Sequence, residues 1–260
     1  MVLTTASVPD RDKVAYWNDA VSRTLVPMEV APRGDGPFDG RIATDRLGYL
    51  QVSTVEADAE RFSRTPALIA RSSEALVAVG VQISGTATFV QDGRRAEVGE
   101  GDLVVYDTTR PYSFDYPQRF ATHVFQLPRR TLGVSDSDIR QVTGNAIGTG
   151  DGFGAMLLPF LATLASSSAD CYPPAVANRS AGNVVDLFAT LIAERAHPGG
   201  MDANAPSHLV LRVRDHISAS AEACWEAFWA RRAQSSPSWA RSMASPYRDS
   251  QERDQEYTLR

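Results

Sequence analysis

Apolar and polar residues alternate with a period of two through much of residues 41–127, and recur at spacings of three and four on either side of that stretch. The change of period predicts short strands flanked by helices. At the front, Val14, Trp17, Val21 and Leu25 make one apolar stripe over 10–25, with Asp10 placed after Pro9 as an N-cap. Residues 31–40 are turn-rich. Strands are expected at 41–44, 47–55, 76–83, 86–91, 94–98, 103–107 and 121–127. The strand at 76–83 alternates most cleanly, with Val77, Val79, Val81 and Ile83 on one face and Leu76, Ala78, Gly80 and Gln82 on the other. Asp92-Gly93 reads as a type I′ hairpin turn. Val98-Gly-Glu-Gly-Asp102 reads as a second tight turn, whose glycines tolerate positive φ. Short strands at this spacing predict a sandwich or a closed barrel.

After Pro128 the period changes. Residues 153–168 are apolar and mostly helical, with a kink expected at Pro159. Pro173 and Pro174 suit a helix start, and Ala177, Ala181, Val184, Phe188 and Leu191 mark one face of a helix running to about 196. Together these segments predict an α-helical hairpin that covers the barrel and offers a second surface to a partner chain. Residues 197–207 have linker composition, and Leu209, Val213 and Ile217 mark a further short helix over 208–217. From 218 the chain is rich in Ser, Ala and Arg and holds Trp225, Trp229 and Trp239; no periodic apolar pattern follows 235, which reads as a poorly ordered end. The fold class is therefore α+β: an antiparallel β-barrel (about 38–128), a helical hairpin (about 153–196), then a short, partly disordered C-terminal tail.

Composition narrows the function. The chain has 260 residues, 43% of them hydrophobic, which is enough for a proper core. Its net charge of −5 argues against gripping nucleic acid over much of the surface. Cys171 and Cys224 match no metal spacing and read as free thiols in a reducing compartment. Residues 1–9 do not resemble a signal peptide, and no apolar run reaches the roughly 18 residues of a membrane span. A soluble, cytoplasmic protein with no membrane partner is expected.

Catalytic chemistry finds few residues to carry it. Of four histidines, only His123 falls in the barrel, which is too few for a metal site, so neither a metal nor another cofactor is expected. There is no Gly-x-Ser-x-Gly elbow. Gly148-Thr-Gly-Asp-Gly-Phe-Gly154 lacks the Lys of a phosphate loop and reads as a flexible link. Binding of a small molecule needs an apolar cavity with a few converging polar groups. The small residues opposite Val77 and Val79 leave room for one, and Tyr49, Gln82, Tyr106, His123 and Gln126 are the polar or amphipathic candidates on its strands. Arg110, in Arg110-Pro-Tyr, is either an anion clamp or a fixture of the turn it sits in.

Four runs occur in order: Arg64-Thr-Pro-Ala-Leu-Ile-Ala70; Gly85 with Val90-Gln-Asp-Gly-Arg94; Gly99-Glu-Gly-Asp-Leu-Val-Val-Tyr-Asp-Thr-Thr-Arg-Pro-Tyr112; and Gln126-Leu-Pro-Arg129 with Leu132. Through them the stretch from about 10 to 196 resembles the cupin-like N-terminal sensor domain of AraC/XylS-type transcriptional regulators. The resemblance implies a barrel that binds a small organic effector and a helical hairpin that forms a homodimer. It also implies two following helix-turn-helix units that bind promoter DNA. The segment 208–217 is similar to the first helix of that DNA-binding half, with Arg212 and Arg214 as candidate DNA contacts. Residues 218–260 carry six Arg and six acidic residues and depart from the pattern, as a truncation or a frameshift near 218 would produce. DNA binding by such a chain is doubtful. Two other readings remain: a metal-independent cupin-like isomerase or lyase, and an interaction module whose barrel is filled by side chains.

Overall fold

The structure, a computed structural model, describes residues 1–34, 36–148, 152–166 and 172–197. The chain divides into two compact units, Met1–Ala205 and Pro206–Arg260. The second unit, with the expected helix at 208–217 and the tail at 218–260, lies outside the described residues, as do Cys171 and Cys224. In chain order the elements are β1 (Val2–Thr4), α1 (Asp10–Thr24), β2 (Glu29–Pro32), β3 (Gly40–Leu47), β4 (Leu50–Ala57), β5 (Glu60–Arg64) and α2 (Pro66–Ile69). They continue with β6 (Leu76–Ser84), β7 (Ala87–Gln91), β8 (Arg94–Val98), β9 (Leu103–Asp107), β10 (Tyr112–Tyr116) and β11 (Phe120–Pro128). The last are α3 (Asp136–Val142), β12 (Ala146–Ile147), α4 (Phe153–Ser166) and α5 (Pro174–Ala196).

The strands form two antiparallel sheets, ordered β1-β3-β4-β11-β6-β9-β12 and β2-β5-β10-β7-β8. Alternation along each strand sends one set of side chains between the sheets and the other outward. The space between the sheets holds one core, with Ile42, Val55, Ala78, Phe89, Val104, Phe114, Phe120 and Val124 in it. The outward face of the larger sheet is buried too, because helices cover it: Phe125 on β11 meets Phe188 on α5 with ring centroids 5.9 Å apart, edge to face. That is why β6 and β9 read as nearly continuous apolar runs. The result is a cupin-like α+β fold.

The strands that the hydrophobic pattern marked are all present, three of the seven longer than expected. Asp92 and Gly93 both have positive φ (55° and 74°), as a type I′ turn requires. Five strands and two helices were not anticipated: β1, β2, β5, β10, β12, α2 and α3. The front helix also differs in phase. Pro9, not Asp10, is its N-cap. Trp17, Ala20 and Val21 are buried, but Val14 is exposed and Lys13 takes the inward place instead. Its alkyl stem packs while its ammonium pairs with Asp39 at 2.9 Å and Asp10 at 3.0 Å.

Trp17 ties this helix to the barrel. Its ring lies so close over Gly40 that a Cβ there would fall 2.8 Å from the indole. Its Nε1–H donates to Glu60 Oε2 at 2.9 Å. At the other end of the unit, Ala177, Ala181, Val184, Phe188 and Leu191 of α5 are all buried, as their spacing predicted. Helix α5 packs against α4, giving the expected hairpin, and also against α3.

Candidate functional site

Between the sheets the side chains leave a cavity of about 30 Å³, room for about one or two waters rather than a metabolite. An open pouch was expected, so this is a correction. Its physical cause lies in β5, β9 and β10, whose inward positions carry Phe62, Tyr106, Tyr112, Phe114 and Tyr116. The small residues of β6 make room for these rings. A Cβ at Gly80 would lie 3.1 Å from Val104 Cγ2 and 3.7 Å from Tyr106 Cε1. The rings interlock edge to face and in stacks: Tyr106 to Phe114 at 5.2 Å, Tyr106 to Tyr112 at 5.0 Å, and Tyr116 on Phe120 at 3.6 Å.

The cavity is uncharged, since no Asp, Glu, Lys, Arg or His lines it. Its polar groups are Gln82, Thr122 and the phenols of Tyr106, Tyr112 and Tyr116. Thr122 donates to the Val81 carbonyl at 3.0 Å and Gln82 to the Ser84 carbonyl at 2.8 Å. The three phenol oxygens make no hydrogen bond among the described residues. They are also absent from the buried polar atoms sealed without a partner, which are Thr24 Oγ1, Glu60 Oε1, Glu194 Oε2 and Arg195 Nε among those residues. The phenols therefore open onto the cavity. Burial raises all three phenol pKa values, so each hydroxyl is a neutral donor at any physiological pH.

The five residues expected to line the pouch separate into three groups. Gln82 and Tyr106 line the cavity. Gln126 also faces inward but is bonded to Gln51, whose Nε2 donates to it at 3.0 Å and to the Thr24 carbonyl at 2.6 Å. Tyr49 and His123 do not reach the interior. Tyr49 lies in the β3–β4 turn, partly exposed, where its hydroxyl is 3.8 Å from the Cβ position of Gly182 on α5. His123 points to the outer face of β11, where its Nδ1 is 2.9 Å from Thr54 Oγ1 and burial lowers its pKa. A one-residue error of strand phase moves a side chain through the sheet, which decided His123, while Tyr49 falls in the turn rather than on a strand. Tyr112 and Tyr116 were missed, although Tyr-Ser-Phe-Asp-Tyr over 112–116 alternates cleanly. The turn reading of Arg110-Pro-Tyr had hidden that signal. Arg212 and Arg214 lie outside the described residues.

The motif around Asp107 is a structural lock. Asp107 is fully buried; its Oδ1 accepts from Thr109 N at 2.9 Å and Thr109 Oγ1 at 2.6 Å. Its Oδ2 pairs with Arg110 Nε and Arg129 Nη1, each at 3.3 Å. Arg110 also pairs with Asp92 in the β7–β8 turn and donates to Thr143 Oγ1 at 3.3 Å, while Arg129 reaches Asp136 on α3 at 2.6 Å. Arg110 thus fixes its turn to two others instead of facing a ligand. Arg64 is equally committed: buried, it donates to the carbonyls of Pro27 and Thr108 and to Ser72 Oγ. Among the described residues no group of three or more His, Cys, Asp and Glu is placed to hold a metal ion. No helix among them is long and apolar enough to cross a membrane.

Comparison with known proteins places this arrangement in a family. An uncharacterized protein in the nit 5′ region of Bacillus sp. (strain OxB-1) is 36% identical over 131 residues, covering 50% of this chain and 51% of that protein. The transcriptional activator NphR of a Rhodococcus species is 27% identical over 181 residues, 68% of this chain and 54% of the activator. The chain therefore spans about half the length of the curated relatives it matches. The crystal structure of the AraC-like transcriptional activator CuxR superposes with a TM-score of 0.62 at 16% identity, covering 74% of this chain and 70% of that one, which shows the shared fold. The profile of the AraC-binding-like domain matches residues 17–193, a range that holds both sheets' core strands and the helices behind them. The chain belongs to the AraC-binding-like domain family.

Proposed function

We propose that this domain senses a small organic effector inside its barrel and dimerises through the α4–α5 hairpin, passing the signal to promoter DNA. The observation that carries the first part is the set of three unpartnered phenol donors opening onto an interior cavity. A buried Tyr hydroxyl normally finds a partner, and a set of them left unbonded costs stability unless a ligand completes it. The cavity as it stands is too small for an effector, so binding moves side chains. Leu25 and Met28 line it from the connection between α1 and β2, not from a sheet, so their side chains can repack without breaking a strand pairing. Unbranched Met28 adapts readily to a new shape.

The hairpin reading is supported by apolar side chains that stay outside the core. Met156 on α4 and Val176 on α5 are exposed. The DNA-binding step belongs to the whole protein. Arg212 and Arg214 stand in the unit outside the described residues, and the relatives are about twice as long as their matched regions. An isomerase or lyase needs an acid and a base paired on a substrate. Glu60, the buried acid of the interior, instead accepts from the Trp17 indole.

A thermal-shift screen against a metabolite library tests the sensing role. A ligand that binds only the folded chain raises the melting temperature, by about 2.7 kcal/mol of stabilisation at a hundred times its Kd. A library with no stabilising member overturns it. A gel shift on DNA flanking the gene tests the output: retardation that is specific and salt-sensitive assigns promoter binding to this chain.

A further inference from the structure

We infer that the effector is a neutral, flat aromatic molecule bearing a hydrogen-bond acceptor, gripped by the phenol hydroxyls of Tyr106, Tyr112 and Tyr116. This deepens the sensing role and rests on it. Three observations select the class. The lining carries no charge, so an anionic ligand would lose its hydration without gaining an ion partner, and a cation would gain only the faces of the rings. The two charged side chains buried nearest to these rings are already engaged, Arg64 by carbonyls and Ser72, and Glu60 by Trp17. Each unused phenol hydroxyl can accept but also has a proton to donate, and a ligand acceptor satisfies that proton. The walls are aromatic faces and edges, and the 3.6 Å stack of Tyr116 on Phe120, only 11° from parallel, shows that this interior already accommodates flat rings in contact. Phosphates and amino acids carry charges that this lining does not pair.

The ring needs more room than the cavity now has. Tyr112 on β10 is paired on both sides, with Arg64 and Gln91, while Tyr106 pairs with Ala78 and Tyr116 with Glu60, so all three are held in a sheet. Leu25 and Met28 move outward, and the phenols remain as a fixed triad of donors. Because those hydroxyls lack a protein partner, removing one leaves the fold at least as stable while weakening the ligand. That pair of effects separates a recognition role from a packing role.

The test uses four probes of similar size against the purified chain, by calorimetry: acetophenone (neutral, aromatic, acceptor), benzoate (anion), benzyltrimethylammonium (cation) and cyclohexyl methyl ketone (acceptor without a ring). Acetophenone is expected to bind at least about tenfold more tightly than the other three. Tyr106→Phe, Tyr112→Phe and Tyr116→Phe are each expected to weaken it by about tenfold, with melting temperatures equal to or above the parent. A ligand preference for benzoate or the ammonium overturns the inference, as does unchanged affinity in all three Phe variants. The library screen keeps the two proposals apart: hits that are all charged or all non-aromatic overturn the effector class but leave sensing intact. An absence of hits from library and probes alike overturns both.

Discussion

Glu60 is a carboxyl group in the wrong solvent. It is fully buried, Oε2 accepts from Trp17 and Oε1 has no partner. Burial raises its pKa well above the ordinary carboxylate value. The neutral acid is therefore the form the fold accommodates. Its contribution is intact below pH of about 4.5 and is lost as pH rises toward the folded-state value, at about 1.4 kcal/mol per pH unit. Glu60→Gln keeps the acceptor for Trp17 and removes the titration. Melts from pH 4 to pH 8 should show the variant equal to the parent at the acid end and more stable at pH 7; parallel curves would refute this account. Asp107 is the opposite case, a buried carboxylate with two arginines and two Thr109 donors around it. Removing it strands Arg110 and Arg129 beside an emptied site. Asp107→Ala should cost about 3 kcal/mol in urea unfolding. A loss below about 1 kcal/mol would show that these pairs behave like surface ones.

Among the elements, the β3–β4 hairpin and α5 depend on one another. Gly48 turns the hairpin at a φ of +58°, and a Cβ there would come 2.4 Å from Asn178 Oδ1 and 2.9 Å from Asn178 Cα. A side chain at 48 is thus strained in the left-handed region and also pushes against the first turns of α5. Gly48→Ala should lower stability by more than about 2 kcal/mol, and hydrogen exchange should show the loss concentrated in α5. Protection lost evenly across the barrel would contradict that. The elements missed at first fall into two kinds. β10 alternates aromatic and polar residues cleanly, and α3 has a capping Ser135 whose Oγ accepts from Asp138 N at 3.1 Å, followed by Ile139 and Val142. Both signals were in the chain. β5 is different. Its inward residues are Glu60, Phe62 and Arg64, so its pattern reads as polar.

For the whole unit, the proposed dimerisation rests on the helices behind the larger sheet. Met156 stays exposed on α4 while Leu157 and Leu161 are buried against the fold. If the hairpin pairs two chains, Met156→Glu places a charge in the shared face and should raise the dimer dissociation constant at least about tenfold. The folded unit itself should be unaffected. Sedimentation velocity checks both halves, and a parent chain that is monomeric at all concentrations would remove dimerisation from the proposal.

Period-two and period-three-four hydrophobicity was enough to establish seven strands and the α5 face, and Asp92-Gly93 the β7–β8 turn, because each depends on neighbours within a few residues. What fills the barrel depended on contacts between segments distant in sequence. Glu60 and Arg64 can point inward only because Trp17, Pro27, Ser72 and Thr108 arrive with hydrogen bonds from elsewhere in the chain. Gly80 leaves space, yet a tyrosine two strand positions along β9 occupies it. Tyr49 and His123 illustrate the same limit in reverse. Their chemistry suits a site, but Tyr49 falls in the turn before β4, and only the tertiary pairing of β4 with β11 decides which side of the sheet His123 sees.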